Sequence, residues 1–266
     1  MKRSYLFTLV SVLLVSILLA ACGGTTEAKV FRVATDATWP PFEYVDETSK
    51  AIVGFDIELM TAIAEKGGFE IEFVNVSWDP LLAGMAQCQY DAAISAMTIT
   101  EERKESFAFS DPYFAAGQVV TVRLDETAIT SKDTLAGKTI GAQLGTTGDI
   151  EGTALAAAQG ATMKTYDDIG LAFQDLINGQ IDAVIADNPL ALGYIGQNPD
   201  KLKTAGQAFT DEFYGIAVCK TNTELISMIN KGLAAVKQEG LIDQLTAKWL
   251  AGGGCRENLG TEDVLD

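Results

Sequence analysis

Hydrophobic positions along the first half of the chain alternate between the spacing of strands and the spacing of helices. Short apolar runs at Phe31–Thr35 and Ala92–Ile94 predict buried strands. Between them, apolar residues from Phe55 to Ile63 recur every three or four positions, which predicts a helix that ends at Gly67-Gly68. This alternation predicts an α/β unit built on a mainly parallel sheet.

A second series of the same kind follows a polar stretch at Leu124–Leu135. Its predicted strands and helices are Thr139–Gln143, Ile150–Gln159, Met163–Tyr166, Ile169–Asn178 and Ala183–Asp187. A later strand over Tyr214–Cys219 is followed by helices over Thr223–Glu239 and Leu241–Leu250. By itself, this order of elements suggests two α/β domains, one after the other along the chain.

The first residues have the pattern of an export signal. A basic start precedes Tyr5–Ala20, an almost wholly apolar run that is short for a membrane span. Leu19-Ala20-Ala21-Cys22 resembles the lipobox of bacterial lipoproteins, in which the peptide is cut before a cysteine that receives a diacylglycerol. We therefore predict a lipoprotein signal peptide at residues 1–21, lipidation of Cys22 and a tether at 22–28. The alternative is ordinary cleavage that leaves Cys22 free.

The composition excludes several classes of function. The chain has 266 residues and a formal net charge of −17, which opposes binding to nucleic acid. It contains no histidine, which excludes serine–histidine and cysteine–histidine catalytic sites and histidine-ligated zinc. Its four cysteines are too far apart in sequence for a CxxC metal or redox motif. We therefore predict neither a cofactor nor a metal.

The candidate chemistry is concentrated in Ser95–Arg103, which follows the Ala92–Ile94 strand. Thr100 is placed to cap a short helix whose first turn contains two glutamates. Arg103 interrupts this acidic turn, and its planar guanidinium suits a carboxylate held by two parallel hydrogen bonds. The alternative is a surface ion pair with Glu101 or Asp111.

Further motifs accompany Ser95–Arg103 along the chain between Phe31 and Leu250. These motifs are Val33–Tyr44, Gly54–Glu58, Phe109–Tyr113, Gly145–Gly148 and Asp182–Asp187. In sequence and order they resemble the solute-binding proteins of ABC importers, in the family that carries polar amino acids, and arginine- or glutamine-binding members in particular. The resemblance implies a partner complex of permease and ATPase, a monomeric receptor and an extracytoplasmic location, lipid-anchored to the membrane at the cell surface or in the periplasm.

The same resemblance implies a fold with two lobes, of the type II periplasmic-binding-protein kind. Each lobe is expected to be a mainly parallel sheet flanked by helices, and two chain segments form the hinge. The first lobe would combine residues 29–113 with 214–251, and the second would span 118–209. Residues 252–266 are rich in glycine and then acidic, and we expect them to form a flexible tail.

The resemblance also implies a set of ligand contacts. They are Asp36, Trp39, Trp78, Ala96, Met97, Thr98, Arg103, Gln143, Thr146, Thr147 and Asp187. Arg103 would bind the ligand carboxylate with backbone amides of Thr98 and Thr147, and Asp187 would bind the ammonium. Trp39 and Trp78 would enclose the ligand side chain. The alternatives are a helix N-cap for Asp187 and core packing for the tryptophans.

The choice of amino acid depends on few residues. Gln143 stands where glutamine-binding relatives tend to have lysine, and Asp56 matches an aspartate that can receive a basic side chain. We therefore expect a basic amino acid, arginine first, with glutamine second. The rival interpretation is an enzyme on the same fold, a cyclohexadienyl or arogenate dehydratase, with Asp187 or Glu43 as its acid. Such an enzyme has no need of an ammonium site, and the expectation is a protein that is not an enzyme.

Three cysteines remain if Cys22 is acylated. The glycines at 252–254 are flexible enough to bring Cys255 back towards Cys219. We therefore predict a Cys219–Cys255 disulfide and leave Cys88 as a free thiol.

Overall fold

Two lobes make up the part of the chain that the computed structural model describes, residues 29–250. The strands are β1 Val30–Thr35, β2 Thr38–Trp39, β3 Glu43–Val45, β4 Ile52–Val53, β5 Glu70–Asn75, β6 Ala92–Ala93, β7 Phe107–Phe109, β8 Phe114–Ala116, β9 Gln118–Arg123, β10 Thr139–Gln143, β11 Thr162–Tyr166, β12 Ala183–Asp187, β13 Leu202–Thr204, β14 Glu212–Tyr214 and β15 Ala217–Cys219. The helices are α1 Phe55–Gly67, α2 Trp78–Ala86, α3 Glu101–Ser106, α4 Thr147–Gln159, α5 Ile169–Ile177, α6 Asn188–Gln197, α7 Thr223–Gln238 and α8 Leu241–Trp249.

The first lobe is built on a five-stranded sheet in the order β5-β1-β6-β15-β7. Strands β5 and β6 pair with β1 in parallel, whereas β15 runs antiparallel to both of its neighbours. Helix α1 packs on α7 and α8, so the C-terminal segment completes this lobe. A small antiparallel sheet, β2-β3-β4, lies between β1 and α1 in the chain.

The second lobe is built on the sheet β11-β10-β12-β9-β13. Strands β11 and β12 pair with β10 in parallel, and β9 runs antiparallel to β12 and β13. Strand β12 is buried along its whole length, as a continuous apolar strand covered by helices on both faces should be. Every strand of this sheet comes from one uninterrupted part of the chain, between Gln118 and Thr204.

Two adjacent segments connect the lobes and form the hinge. Strands β8 and β14 pair antiparallel, with Phe114 opposite Tyr214 and Ala116 opposite Glu212. The single strand predicted over Tyr214–Cys219 is therefore two strands in the structure. The chain leaves the hinge ladder after Tyr214 and then joins the first sheet as β15, because the two pairing partners lie in different sheets.

The predicted Cys219–Cys255 disulfide is wrong, because Cys219 is bonded to Cys88. Helix α2 leads into a turn that contains Cys88 and enters β6, and β6 pairs with β15, which ends at Cys219. The backbone N–H of Cys219 donates to Asp91 O at 3.1 Å, and the Cα atoms of the two cysteines are 5.2 Å apart. Sheet pairing thus brings together two thiols that are 131 residues apart in sequence.

The described helices were compared with the length and apolar character of a membrane-spanning helix. Within residues 29–250, no helix combines the length and the apolar character needed to cross a bilayer. Cys22, the predicted tether and the predicted tail lie outside the described residues.

Candidate functional site

The cleft between the two lobes is lined by polar and aromatic side chains from both. The lining residues are Asp36, Trp39, Trp78, Ser95, Ala96, Thr98, Arg103, Thr146, Thr147 and Asp187. They lie at or just beyond the carboxyl ends of sheet strands, where open α/β sheets bind ligands. The cleft therefore offers polar and aromatic contacts from both lobes to one small molecule.

Arg103 supplies the positive charge of the first-lobe wall. Thr100 Oγ1 accepts a hydrogen bond from Arg103 N at 3.1 Å and caps α3, as the sequence predicts. The guanidinium donates to Thr98 O at 2.8 Å and, across the cleft, to Gly145 O at 3.3 Å. It lies 5.0 Å from the centroid of the Trp78 ring. With five N–H donors in a guanidinium, these two bonds leave donors for an anion in the cleft.

The alternative of a surface ion pair for Arg103 does not describe this arrangement. Within the described chain, neither Glu101 nor Asp111 forms an ion pair with Arg103, and Glu101 instead pairs with Lys104 at 2.7 Å. Burial lowers the pKa of Arg103, while the charges of Asp187 and Glu212 act in the opposite direction. The cation of the cleft is therefore balanced by carboxylates from the second lobe and the hinge.

Asp187 supplies the negative charge of the second-lobe wall, at the end of β12. Its carboxylate accepts hydrogen bonds from Gln118 Nε2 at 2.7 Å and from the Tyr214 hydroxyl at 2.5 Å. It stands at the N-cap of α6, but among the described residues its side chain makes no capping bond to that helix. Burial, with a smaller effect of Glu212, raises the pKa of Asp187 to about 7. The carboxylate is thus aimed at the cleft and lacks a full countercharge.

Glu212 in the hinge connects the two walls. Its Oε2 accepts hydrogen bonds from the hydroxyls of Thr98 at 2.7 Å and Thr147 at 2.9 Å, one from each side of the cleft. Its Oε1 accepts a third from Thr210 Oγ1 at 2.8 Å. Both cleft threonines therefore use their protons on Glu212. Thr147 Oγ1 also accepts from Gln118 Nε2 at 3.0 Å, so it keeps one lone pair as an acceptor, while that of Thr98 keeps two.

Asp36 and Gln143 form a second bridge between the lobes. Gln143 Nε2 donates to Asp36 Oδ2 at 2.9 Å and to Asp167 O at 3.1 Å. Thr38 Oγ1 donates to the other oxygen of Asp36 at 2.9 Å. Burial raises the pKa of Asp36 in spite of these bonds, which lower it. Asp36 is a second carboxylate on the cleft. It belongs to the first lobe, whereas Asp187 belongs to the second.

Trp39 and Trp78 give the cleft its aromatic surface. They are 7% and 6% exposed, so each is almost wholly enclosed. Among the described residues, the indole Nε1 of each has no hydrogen-bond acceptor. Buried indole N–H groups usually have a partner, so both rings combine a flat apolar face with an unused donor.

The start of α4 provides the second-lobe wall opposite Arg103. Thr146 caps this helix by accepting from Asp149 N at 3.2 Å, and its hydroxyl donates to Gln143 O at 2.7 Å. Thr147 is the first residue of the helix, where backbone N–H groups lack partners within the helix. Helix N-termini of this kind favour anions, so the wall suits a carboxylate shared with Arg103.

Comparison with known proteins identifies the family. Residues 31–252 match the family model of the bacterial extracellular solute-binding proteins, family 3. The chain belongs to this family. A probable histidine-binding protein of Neisseria gonorrhoeae is 35% identical over 247 residues, covering 89% of this chain and 92% of the relative. The ABC transporter arginine-binding protein 1 of Escherichia coli K12 is 36% identical, covering 85% and 93%.

The solved structures agree with this family membership. An ancestral arginine-binding protein bound to arginine superposes with a TM-score of 0.79 and 43% identity, covering 83% of this chain and 97% of that one. The predicted resemblance to solute-binding proteins and the predicted two-lobed α/β fold are therefore confirmed. The relatives named here are described as binding proteins, which favours a family 3 receptor over an enzyme.

Two residues expected to contact the ligand of this solute-binding protein do not line the cleft. The Met97 side chain has no exposed surface and packs in the core cluster that contains Trp78 and Leu81. The side-chain NH2 group of Gln143 donates its hydrogen bonds to Asp36 Oδ2 and to the backbone carbonyl of Asp167. Met97 and Gln143 lie behind the lining residues. Ala96 and Thr98 beside Met97, and Thr146 near Gln143, take the positions at the surface of the cleft.

Asp56 and Glu43 are also placed differently from expectation. Both are fully buried, and neither is among the residues that line the cleft. Asp56 Oδ2 instead accepts from the backbone N–H of Ala96 at 2.7 Å, which lies in the wall. Their role is to support this wall from behind.

Sequence reasoning missed Glu212 as a site residue. Its neighbours Thr210 and Asp211 are polar, so the segment has the composition of a surface loop. The signal that points to it is its position between the expected second lobe, 118–209, and the return of the first lobe at 214–251. A buried acid at such a crossing is costly unless it is hydrogen-bonded.

Proposed function

We propose that this protein is the receptor of an ABC importer and binds a free polar L-amino acid. A basic amino acid is favoured, arginine above all, with glutamine as the second choice. The observation that carries the proposal is the charge pattern of the cleft. Among the described lining residues, one guanidinium, Arg103, accompanies two carboxylates, Asp36 and Asp187. A zwitterion with a cationic side chain has the complementary set, one carboxylate and two cations.

Each group of arginine has a counterpart in the cleft. In the proposed pose, the ligand carboxylate binds Arg103 and the free amides at the start of α4. The ligand ammonium binds Asp187 and the threonine oxygens whose protons are held by Glu212. The guanidinium lies between Trp39 and Trp78 and points to Asp36, because indole faces attract flat cations. Glutamine satisfies the first two contacts but not the third.

The pose requires both lobes at once. The first lobe contributes the Arg103 guanidinium and both indoles, while the second contributes Asp187 and Thr147. A ligand therefore makes more contacts in the closed state than in the open one, and that difference drives closure about β8 and β14. Since the hinge ladder is only two strands wide, closure requires no rearrangement of either sheet.

Calorimetric titration of the mature protein tests the ligand. We expect arginine to bind most tightly, followed by lysine, histidine and glutamine, with no binding of glutamate. The matched variant Asp36→Asn separates the side-chain contact from the others: arginine affinity should fall roughly 10- to 100-fold, and glutamine affinity should change little. Equal losses for the two ligands would contradict the assignment of Asp36, and an absence of amino-acid binding would contradict the function.

We also propose that the mature protein is an extracytoplasmic monomer, lipid-anchored through Cys22 to the membrane at the cell surface or in the periplasm. The support is the sequence pattern at Leu19–Cys22 and the extracellular description of the family. Expression of Cys22→Ser in a bacterial host should move the protein from the membrane fraction to the soluble fraction. Retention of this variant in the membrane would exclude the cysteine as the anchor.

A further inference from the structure

Two carboxyl groups, Glu43 from β3 and Asp56 from α1, lie together behind the first-lobe wall with no exposed surface. Gly54 allows this approach. Its φ is 138°, and a Cβ on it would lie 2.1 Å from the Phe42 carbonyl oxygen. The turn into α1 therefore packs directly against the backbone that enters β3, and Asp56 N donates to Phe42 O at 3.0 Å.

Each carboxyl group is hydrogen-bonded to the wall through one oxygen. Glu43 Oε1 accepts from Ser95 Oγ at 2.9 Å. Asp56 Oδ2 accepts from Ala96 N at 2.7 Å and from the Tyr113 hydroxyl at 2.8 Å. These contacts fix the positions of both carboxyl groups relative to Ser95 and Ala96.

The other oxygens of the pair have no donor in the described chain. They are Glu43 Oε2 and Asp56 Oδ1. Both carboxyl groups are nevertheless held against consecutive residues of the same wall, Ser95 and Ala96, and each has one buried oxygen without a donor. Two ionised carboxylates would place like charges and acceptors against each other in a dry environment, which is strongly unfavourable. One proton between them supplies the missing donor and leaves a single negative charge.

We propose that Glu43 and Asp56 share one proton and that the protonated pair positions Ser95 and Ala96 in the wall of the cleft. Ala96 has a φ of 44°, a conformation that non-glycine residues adopt at a cost, and its N–H is held by Asp56. Ser95 Oγ accepts from Asp36 N at 3.0 Å, so the pair also supports that backbone. The consequence for ligand binding rests on the proposed function.

Shared protonation makes stability depend on pH in a known direction. Burial raises the pKa of Glu43 well above its usual value, with a further contribution from the charge of Asp56, and burial also raises that of Asp56. The folded state then keeps a proton that the unfolded state loses above about pH 4. The free energy of unfolding therefore falls as pH rises from about 4 to the raised pKa of the pair in the folded state. Asp36 and Tyr113 are the other titratable groups that act on the pair.

The test compares unfolding by urea between about pH 5 and 9 in the wild type and in single amide variants. Glu43→Gln and Asp56→Asn each place a permanent N–H donor between the two groups. In the wild type, the pair should lower the folding equilibrium constant by up to about tenfold per pH unit. Each amide variant should lose this contribution, and the contributions of Asp36 and Asp187 should remain in both.

Glu47→Gln is the matched control, because it removes the same charge from an exposed position in the loop after β3. We expect it to keep the pH slope of the wild type. If Glu43→Gln and Asp56→Asn have that same slope, no proton is shared and the proposal is overturned. A reduced slope in both, of the same size, supports one shared proton rather than two independent ones.

Arginine binding tests the positioning role separately. Glu43→Ala removes the support of Ser95 and leaves Asp56 without its proton partner, so its affinity should be at least tenfold weaker than that of Glu43→Gln. Equal affinities in these two variants would refute positioning. If neither they nor the wild type bind arginine, the proposed function fails, while the unfolding data still decide whether the proton is shared.

Discussion

The two lobes are built on the same plan and present different chemistry to the cleft. In each sheet, one strand is antiparallel to its neighbours, and in each case it is the strand that follows a hinge segment, β9 or β15. The remaining strands carry their carboxyl ends towards the cleft. The first lobe places a cation, a carboxylate and two indoles there, whereas the second places a carboxylate and a helix N-terminus. A common scaffold therefore presents different sets of charged groups on the two sides of the cleft.

The walls also differ in how they are supported. On the first lobe, buried side chains hold the wall from behind, as Glu43 and Asp56 do for Ser95 and Ala96. On the second lobe, Asp187 is held by Gln118 and by the hinge residue Tyr214, so its position depends on the crossing between lobes. We infer that contacts within the first lobe fix the position of the first wall. The position of the second wall is fixed only when the two lobes close.

The strongest test of the first wall is Arg103→Ala. Removal of one partner of a buried charge pair costs about 2–5 kcal/mol, so arginine affinity should fall by roughly 100- to 1,000-fold. Titration calorimetry measures the loss, and small-angle scattering should show compaction with arginine in the wild type but none in the variant. Near-wild-type affinity in this variant would show that Arg103 does not bind the ligand and that the first wall lacks its proposed carboxylate site.

The corresponding test of the second wall is Asp187→Asn. The amide retains an acceptor for one hydrogen bond but loses the charge that we propose to pair with the ligand ammonium. We expect arginine and glutamine affinity to fall by similar factors, roughly 30- to 100-fold, because both ligands carry the same ammonium. A loss confined to arginine would show that Asp187 binds the side chain instead, and the roles of Asp36 and Asp187 would be exchanged.

Acidification separates the walls without a change at Arg103. In the proposed pose the ligand ammonium binds ionised Asp187, and the pKa of this carboxyl group is raised to about 7 in the folded protein. Binding below that pH therefore releases a proton, and affinity should fall by up to about tenfold per pH unit as pH decreases. Titrations of the wild type and Asp187→Asn over the same range provide the comparison. A slope of equal size in the variant would assign the titration to another group, such as Asp36.

The aromatic part of the first wall should contribute less. Trp78→Leu removes the indole on which Arg103 lies as well as a proposed ligand contact, whereas Trp39→Leu removes a proposed ligand contact alone. We expect losses of roughly three- to tenfold in arginine affinity, larger for Trp78, since cation–π contacts contribute about 0.5–2 kcal/mol. Equal losses for arginine and for a ligand without a flat cation would exclude stacking as the reason.

The smallest effect is expected outside the cleft. Lys104 neighbours Arg103 in α3 but is exposed and pairs with Glu101 on the surface. Lys104→Ala should change arginine affinity by less than about threefold, because exposed ion pairs contribute about 0–1 kcal/mol. A loss as large as that of Arg103→Ala would mean that general charge attraction, rather than the cleft geometry, determines binding.

Sequence reasoning recovered the elements whose burial leaves a simple pattern. The strands Thr139–Gln143 and Ala183–Asp187 have the predicted bounds, since a continuous apolar run bounded by polar residues has few other conformations. The capping of α3 by Thr100 followed from local chemistry. These features depend on neighbours in the chain and are therefore accessible without a structure.

The features that were missed depend on contacts between distant segments. Cys88 meets Cys219 because β6 and β15 are adjacent, and nothing near either cysteine in the sequence encodes that pairing. Glu212 was missed because its role depends on two threonines from opposite lobes. Met97 was misplaced because motif membership does not determine which side chains reach the cleft.

The Cys88–Cys219 bond has a consequence for the order in which the molecule is assembled. A chain made from its N-terminus presents Cys88 long before Cys219, and the whole second lobe lies between them. The second sheet uses one continuous segment, so it has all its strands while the first sheet still lacks β15. In chain order, the inserted lobe therefore has all its strands before this disulfide can form, and α7 and α8 still follow to complete the first lobe.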